Sequence, residues 1–138
     1  MQEIAAGLLV YHPKSKRILL GLRSDLNCWA NFGGGFEPKK DKTIRETAIR
    51  EFWEETMCDT KYNISKNPIE IHESNFLRYY TYLALFDVLF EPTINDEHKN
   101  YGWFKIDNLP SNIFPECLKT MNKFIDLINS LSVSKINS

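Results

Sequence analysis

"TIRETAIREFWEETM", residues 43–57, decides what kind of domain this chain forms. Thr43 and Glu46 stand three apart, the spacing of a capping box in which the Thr hydroxyl accepts from a first-turn N–H and the Glu reaches back. Beyond them Ala48, Ile49, Phe52, Trp53 and Met57 recur at helical spacing, and no Gly or Pro interrupts until well past Asp59. The pattern predicts a helix over residues 44–57. On a helical projection Ile44, Ala48, Ile49, Phe52 and Trp53 form a broad apolar arc, with Glu51, Glu54 and Glu55 on a narrow arc beside it.

That acidic arc works against the helix. Glu51 lies i,i+3 from Glu54 and i,i+4 from Glu55, and each like-charge pair costs about 0.2–0.5 kcal/mol. The acids also occupy the last two turns, where the macrodipole favours cations. Arg50 reaches Glu54 at i,i+4, but one Arg cannot neutralise three carboxylates, whereas a bound divalent cation can. The alternative is a solvated acidic face, the usual fate of a charge run. The flank weighs against it: "NFGGGFEP", residues 31–38, holds three consecutive glycines, which permit positive φ and close approach of the backbone to a ligand or metal.

Gly34-Gly35-Phe36-Glu37 followed by Arg50-Glu51-Phe52-Trp53-Glu54-Glu55 resembles the signature of the Nudix hydrolases. That pattern runs Gly, five residues, Glu, seven residues, then Arg-Glu-apolar-x-Glu-Glu-x-Gly-apolar. Arg50, Glu51, Phe52, Glu54 and Glu55 fill their positions, and Cys58 takes the final apolar one. There are two departures. Lys42 stands where the pattern wants Glu, with Asp41 beside it as a substitute and an insertion in "PKKDK" lengthening the loop. Met57 replaces the helix-ending glycine, so a left-handed cap there costs roughly 1 kcal/mol or more, or the helix runs on toward Asp59. The resemblance extends to "RILLGLRSDLNCWANFGGG", residues 17–35, and to "NDEHKNYGWFKIDNLP", residues 95–110.

Composition sets the frame. A chain of 138 residues, 43% hydrophobic and 13% aromatic, suits one globular domain spanning residues 1–138. Cys28, Cys58 and Cys117 show neither metal-ligand nor disulfide spacing, which reads as reduced thiols in a cytosol-like compartment. No apolar run reaches membrane-spanning length, and the N-terminus lacks a basic signal region. A net charge of −1 argues against an extensive nucleic-acid surface while leaving single nucleotides and RNA 5′ ends open.

Residues 3–11 and 17–23 read as a hairpin across "HPKSK", residues 76–90 as a long strand, "YGWFKI" as another, and residues 114–131 as a closing amphipathic helix with a fraying terminus. These elements make an α/β layered domain, which the resemblance sharpens to an α/β/α sandwich with a mixed sheet.

The resemblance also implies an activity: hydrolysis of a nucleoside diphosphate linked to a second group, by water attack at phosphorus, with Mg²⁺ or Mn²⁺ as cofactor. Glu51, Glu54 and Glu55 would ligate the metal with a carbonyl of Gly34 or Gly35, and Arg50 would orient a glutamate. The general base is Glu54, Glu55 or a loop acid, with Glu97, six before Trp103, the candidate remote from the helix and a solvated loop acid its bland alternative. Arg23 is a candidate phosphate ligand or a surface cation. Trp29, Phe32 and Tyr79 are candidate base-stacking rings or core. His12, His72 and His98 show no partner in the sequence. Two other readings stay open: a catalytically silent nucleotide-binding module, and a pyrophosphohydrolase of RNA 5′ ends. Members of this family often form homodimers.

Overall fold

Strand β1 (Glu3–His12) is the spine of the molecule, with every residue from Ala5 to His12 buried. The computed structural model describes residues 2–137, with side chains through Leu131. On one edge β1 runs parallel to β7 (Leu77–Leu85), in register from Glu3↔Leu77 to Tyr11↔Leu85. Its other edge is shared. Val10–His12 pair antiparallel with β2 (Arg17–Arg23), while Ala5–Leu8 pair antiparallel with β4 (Phe32–Gly35). β8 (His98–Lys105) takes the edge of β2 away from β1, while β3 (Trp29–Ala30) pairs with Gly21 and Leu22 on the same edge as β1. β5 (Asn63–Ile64) and β6 (Glu70–Glu73) edge β7, completing one mixed sheet.

Alternation along β1 sends its side chains to two cores. Ala6, Leu8 and Val10 join Phe32, Ala48, Phe52 and Phe86 beneath helix α1 (Ile44–Thr56). Leu9 and Tyr11 join Ile18 and Leu20 against Met121 and Phe124 of α2 (Pro115–Asn137). The expected α/β/α sandwich with a mixed sheet is what the chain forms. Phe52 is fully buried and its ring meets Phe32, Tyr62, Phe86 and Phe90 at centroid distances of 5.7–6.0 Å. This one side chain fixes how α1 sits on the sheet, and therefore where the acidic arc points.

Helix α1 starts as the capping box predicts. Thr43 Oγ1 accepts from Glu46 N at 3.1 Å, and Glu46 Oε2 accepts from Lys42 N at 2.8 Å. It ends one residue earlier than expected, because Met57 takes the left-handed conformation (φ 54°, ψ 36°) and donates its N–H to Trp53 O. The strand expected over residues 76–90 stops at Leu85: Phe86 N–H donates to Tyr11 O, and the Phe86 and Phe90 rings stack at 5.1 Å. The aromatic content there fills a corner of the core instead of extending a strand. The polar interval after α1 holds the short edge strands β5 and β6. Helix α2 continues past residue 131 to Asn137, and Ser138, in the segment expected to fray, lies outside the described residues.

The glycine run departs most from expectation. It is a strand, and among the described residues no glycine has positive φ. What the run supplies is missing Cβ atoms. One on Gly34 would stand 2.3 Å from the Glu51 carboxylate, and one on Gly33 would stand 2.0 Å from the Tyr79 hydroxyl.

Candidate active site

The site begins with Arg50, the only cation in the acidic arc of α1. Its Nε and Nη2 fork onto Asp41 at 2.8 and 2.9 Å, Nη1 reaches Glu51 at 2.9 Å and Glu54 at 3.1 Å, and Nη2 also donates to Gly35 O at 3.0 Å. The inserted loop delivers Asp41. Glu37 O accepts from Asp41 N, Glu37 N donates to Asp41 Oδ2, and Thr47 Oγ1 donates to the same oxygen at 2.9 Å. Asp41 is buried and Lys42 exposed, so of the two it is Asp41 that turns inward to Arg50. The Arg50 guanidinium holds the Asp41 carboxyl well below the usual carboxylate range.

With Arg50 engaged in this way, Glu55, the last acid of the helix, has no ion-pair partner among the described residues. Glu55 is 2% exposed, and Oε1 accepts from Gly33 N at 3.1 Å. Burial, then the nearby Glu51 and Glu97 carboxylates, push its pKa up to about 9. Glu51 is also raised, chiefly by burial, with Arg50 opposing. The loop before β8 brings in the rest: Glu97 O accepts from Ser24 N, Glu97 N donates to Asn95 Oδ1, and His98 begins the strand. Ligand-type atoms of Glu55, Glu97 and His98 lie within 4.8 Å of one another. Burial and then Arg23 lower the His98 pKa, keeping its imidazole neutral at physiological pH.

This donor set fits a divalent cation. The Glu55 and Glu97 carboxylates meet with no ion-pair partner among the described residues, and a single imidazole leaves the set dominated by oxygen, as Mg²⁺ and Mn²⁺ prefer. Glu51 and Glu97 open onto a cleft of about 910 Å³ that runs past Gly33–Gly35 and over β7 to the start of α2. That volume is in the range of nucleotide-sized ligand sites.

The expected site residues divide into four groups. Glu51, Glu55 and Glu97 come together, with Gly34 packed on the Glu51 carboxylate. Arg23, Gly35 and Tyr79 line the cleft, but Arg23 is forked onto Asp25 (3.0 and 2.6 Å) and the Gly35 carbonyl is held by Arg50. Glu54 is tied to Arg50 outside the cleft lining, and Arg50 itself contacts both Glu51 and Glu54. Trp29 and Phe32 do not face the cleft. Trp29 meets Phe104 at 4.9 Å in the core beneath α2, and Phe32 is fully buried beneath α1.

Sequence reasoning passed over His98 and Asn31. Their signals were faint: a histidine directly after Glu97 at the start of a strand, and one amide inside the otherwise apolar run "WANF". The other histidines also find partners, His12 with Ser15 and Asp87 O, His72 with Glu116.

The family model for the NUDIX domain matches residues 1–124. A search of curated proteins gives no match. Among solved structures, the chain is similar to a C. elegans Ap4A hydrolase in a binary complex, with 22% identity, TM-score 0.77, and coverage of 91% of this chain and 98% of that one. The NUDIX domain of Shewanella oneidensis NrtR, complexed with ADP ribose, shares 15% identity at TM-score 0.75, covering 93% and 89%. A Francisella tularensis bifunctional NMN adenylyltransferase/ADP ribose pyrophosphatase, complexed with AMP and a Mn ion, shares 22% identity at TM-score 0.65, covering 91% of this chain and 42% of that one. The family match takes in both cores, the Arg50 network and the Glu55 cluster, and so this chain belongs to the NUDIX domain family of pyrophosphohydrolases.

Proposed function

We propose that the protein cleaves the diphosphate linkage of a nucleoside diphosphate joined to a second group, using Mg²⁺ or Mn²⁺. The observation that carries this reading is the Glu55 carboxyl, buried beside Glu51 and Glu97 at the mouth of a nucleotide-sized cleft. Similar folds described with Ap4A hydrolase activity, ADP ribose and AMP support a nucleotide-type substrate.

In this reading Glu51, Glu55 and Glu97 hold the cation, with His98 beside them and Glu54 completing the acidic face. When bound, the cation offsets the phosphate charge and lowers the pKa of water. Arg50 keeps the Glu51 carboxylate turned to the sheet. Glu97, exposed at the cleft, accepts the proton of the attacking water. The water oxygen bonds to phosphorus as the anhydride P–O bond breaks, and the leaving phosphate carries off the electron pair. A family enzyme of this size fits the reduced, cytoplasmic setting that its free thiols suggest, and among the described residues no helix is long and apolar enough to cross a membrane.

The test is product release from ADP-ribose, Ap4A, nucleotide sugars and nucleoside triphosphates with Mg²⁺ or Mn²⁺, alongside Glu54→Gln and Glu55→Gln. Cation-dependent turnover that falls at least about 100-fold in both variants is expected. Nucleotide binding without turnover of any substrate would sink the hydrolase reading in favour of a silent module. Turnover confined to 5′-triphosphorylated RNA and steeply salt-dependent would instead identify an enzyme of RNA ends.

A further inference from the structure

Asn31 carries an observation that the diphosphate chemistry leaves unused. It lies between Ala30 and β4, lines the cleft, and is 9% exposed, yet its Oδ1 has no hydrogen-bond partner. A buried amide oxygen left unpaired costs about 1–3 kcal/mol, so a protein that keeps one at a ligand-sized cleft has a use for it.

Register says which face it serves. Phe32 points beneath α1, so alternation turns Asn31 and Gly33 to the opposite face, the one shared by Tyr79 and Thr81 of β7 through the pairings Gly7↔Gly33 and Gly7↔Thr81. Gly33 donates its N–H to Glu55, and Asn31 lies two residues further along, about 7 Å of strand rise. That offset is comparable with the ribose that separates a phosphate from its base. Around this end of the cleft stand the Tyr79 ring, Thr81, Cys117 and Thr120, and the Thr120 hydroxyl already donates to Glu116 O at 3.1 Å. Of the polar side-chain atoms at this end, the Asn31 oxygen is the one buried without a partner among the described residues. The χ2 torsion of Asn is broad, so the amide can turn to a ligand without leaving its rotamer.

We propose that Asn31 reads the nucleobase, its amide accepting from an exocyclic amine and donating to the adjacent ring nitrogen, the pattern offered by adenine. An Asn amide matches that pair of atoms in bidentate fashion. This inference rests on the nucleotide reading of the cleft and names the base it selects. A site whose polar group needs a donor rejects analogues that lack one, because the group is then left buried and unpaired.

The experiment is equilibrium binding, by calorimetry, of three ligands to the intact protein: AMP, the 5′-monophosphate of unsubstituted purine riboside, and UMP. The proteins are the wild type, Asn31→Leu and Asn31→Ala. The wild type should bind AMP about 10- to 100-fold more tightly than the purine lacking the amine. Asn31→Leu should erase that preference while changing affinity for the other two ligands by no more than about 3-fold, and its thermal midpoint should not fall, since no intramolecular bond is lost. If Asn31→Leu fails to fold, Asn31→Ala, which also removes both the acceptor and the donor, should lose the AMP preference in the same way. Equal weakening of all three ligands, an unchanged AMP preference, or no AMP binding by the wild type would overturn the proposal. Because none of these ligands contains a diphosphate, the result is independent of turnover. Discrimination without hydrolysis would remove the enzyme reading and keep Asn31, and hydrolysis without discrimination would do the reverse.

Discussion

Around Arg50 four carboxylates share one guanidinium, and Asp41, the most buried of them, also receives bonds from Thr47 and the loop backbone. Around Asn31 the reverse holds: the walls are mostly apolar and the buried amide oxygen has no partner. The first region is satisfied within the chain and sets the geometry of α1 against β4. The Glu55 cluster between the two is buried but uncompensated. Groups whose partners are internal contribute to folding, whereas groups whose partners are absent mark where a ligand contributes, and the two kinds of variant should separate in stability and function.

The largest effect should come from breaking the satisfied region. Arg50→Ala leaves Asp41 buried and unpaired and removes the cation from between Glu51 and Glu54, at a cost of about 3–5 kcal/mol. Chemical denaturation should show the midpoint falling while Arg50→Lys, which keeps the charge but loses the fork, falls less. A loss under about 1 kcal/mol would mean that the network is a solvated surface feature.

The Glu55 cluster should show its lack of compensation as a pH dependence of the cation-free protein. Its carboxyl holds a proton up to about 9 when folded, against about 4.3 in an unfolded chain. Across that window the folded state binds the extra proton, so stability is greatest below the unfolded pKa and declines as pH rises toward the folded one, by a few kcal/mol in all. Denaturation with a chelator present, at steps between about pH 5 and about pH 9, should show this slope, and Glu55→Gln should flatten it. Excess Mg²⁺ should flatten it too, since a cation favours the charged carboxylate. A flat profile in the wild type would show that Glu55 is solvated.

Two neighbouring glycines allow a sharper cut between structure and function. In Gly33→Ala the new methyl meets not only the Tyr79 hydroxyl but the backbone at Ala6 O and Gly7 Cα, 2.7 Å away, which cannot withdraw, so about 1–3 kcal/mol of stability should go. In Gly34→Ala the three atoms nearest the methyl all belong to the Glu51 carboxylate, the end of a side chain that can swing aside. That variant should lose less than about 1 kcal/mol of stability and yet at least about 10-fold in kcat, because a displaced carboxylate misplaces the reacting groups. Parallel loss of stability and kcat in both variants would dissolve the distinction.

The same contrast explains what the sequence could disclose. Helix α1 was legible because its period, its Thr43 cap and its acidic arc lie within fifteen consecutive letters, and Asp41 was already named beside Lys42 as the substitute acid. The β1–β2 hairpin was legible from two apolar runs around a turn. The glycine strand was not, since three glycines read as freedom for positive φ until the pairing with β1 shows what a Cβ would strike. Nor were β5 and β6, whose polar edge sequences carry no period of their own and are held by β7. The Glu97–His98 pair and Asn31 act through elements distant in the chain, so their chemistry exists only once β8 and β4 are in place. Trp29 and Phe32 show the converse: an aromatic residue near a motif is defined by which face of its strand it occupies, and spacing alone did not say.

Met57 offers the smallest effect and isolates a local cost from both regions. Its backbone is left-handed, a conformation in which a Cβ crowds the following carbonyl at roughly 1–2 kcal/mol, and it is held there by its own N–H on Trp53 O at 2.7 Å. Replacing it with Gly removes that strain while keeping the bond. Against this stands the greater freedom of Gly in the unfolded chain, about 0.5–1 kcal/mol, and little lost burial, because the Met57 side chain is 56% exposed. The difference leaves Met57→Gly more stable by about 0.5–1 kcal/mol, read as a higher denaturant midpoint at unchanged slope. Turnover should not change, since Glu51 and Glu55 are fixed by Arg50, Gly33 and the packing of Phe52, all upstream of the cap. If the variant were less stable, the Met57 side chain would have to be making contacts that its exposure denies; if it were more stable but less active, the end of α1 would be part of the site, and the separation between self-satisfied and ligand-dependent regions would have to be drawn further along the helix.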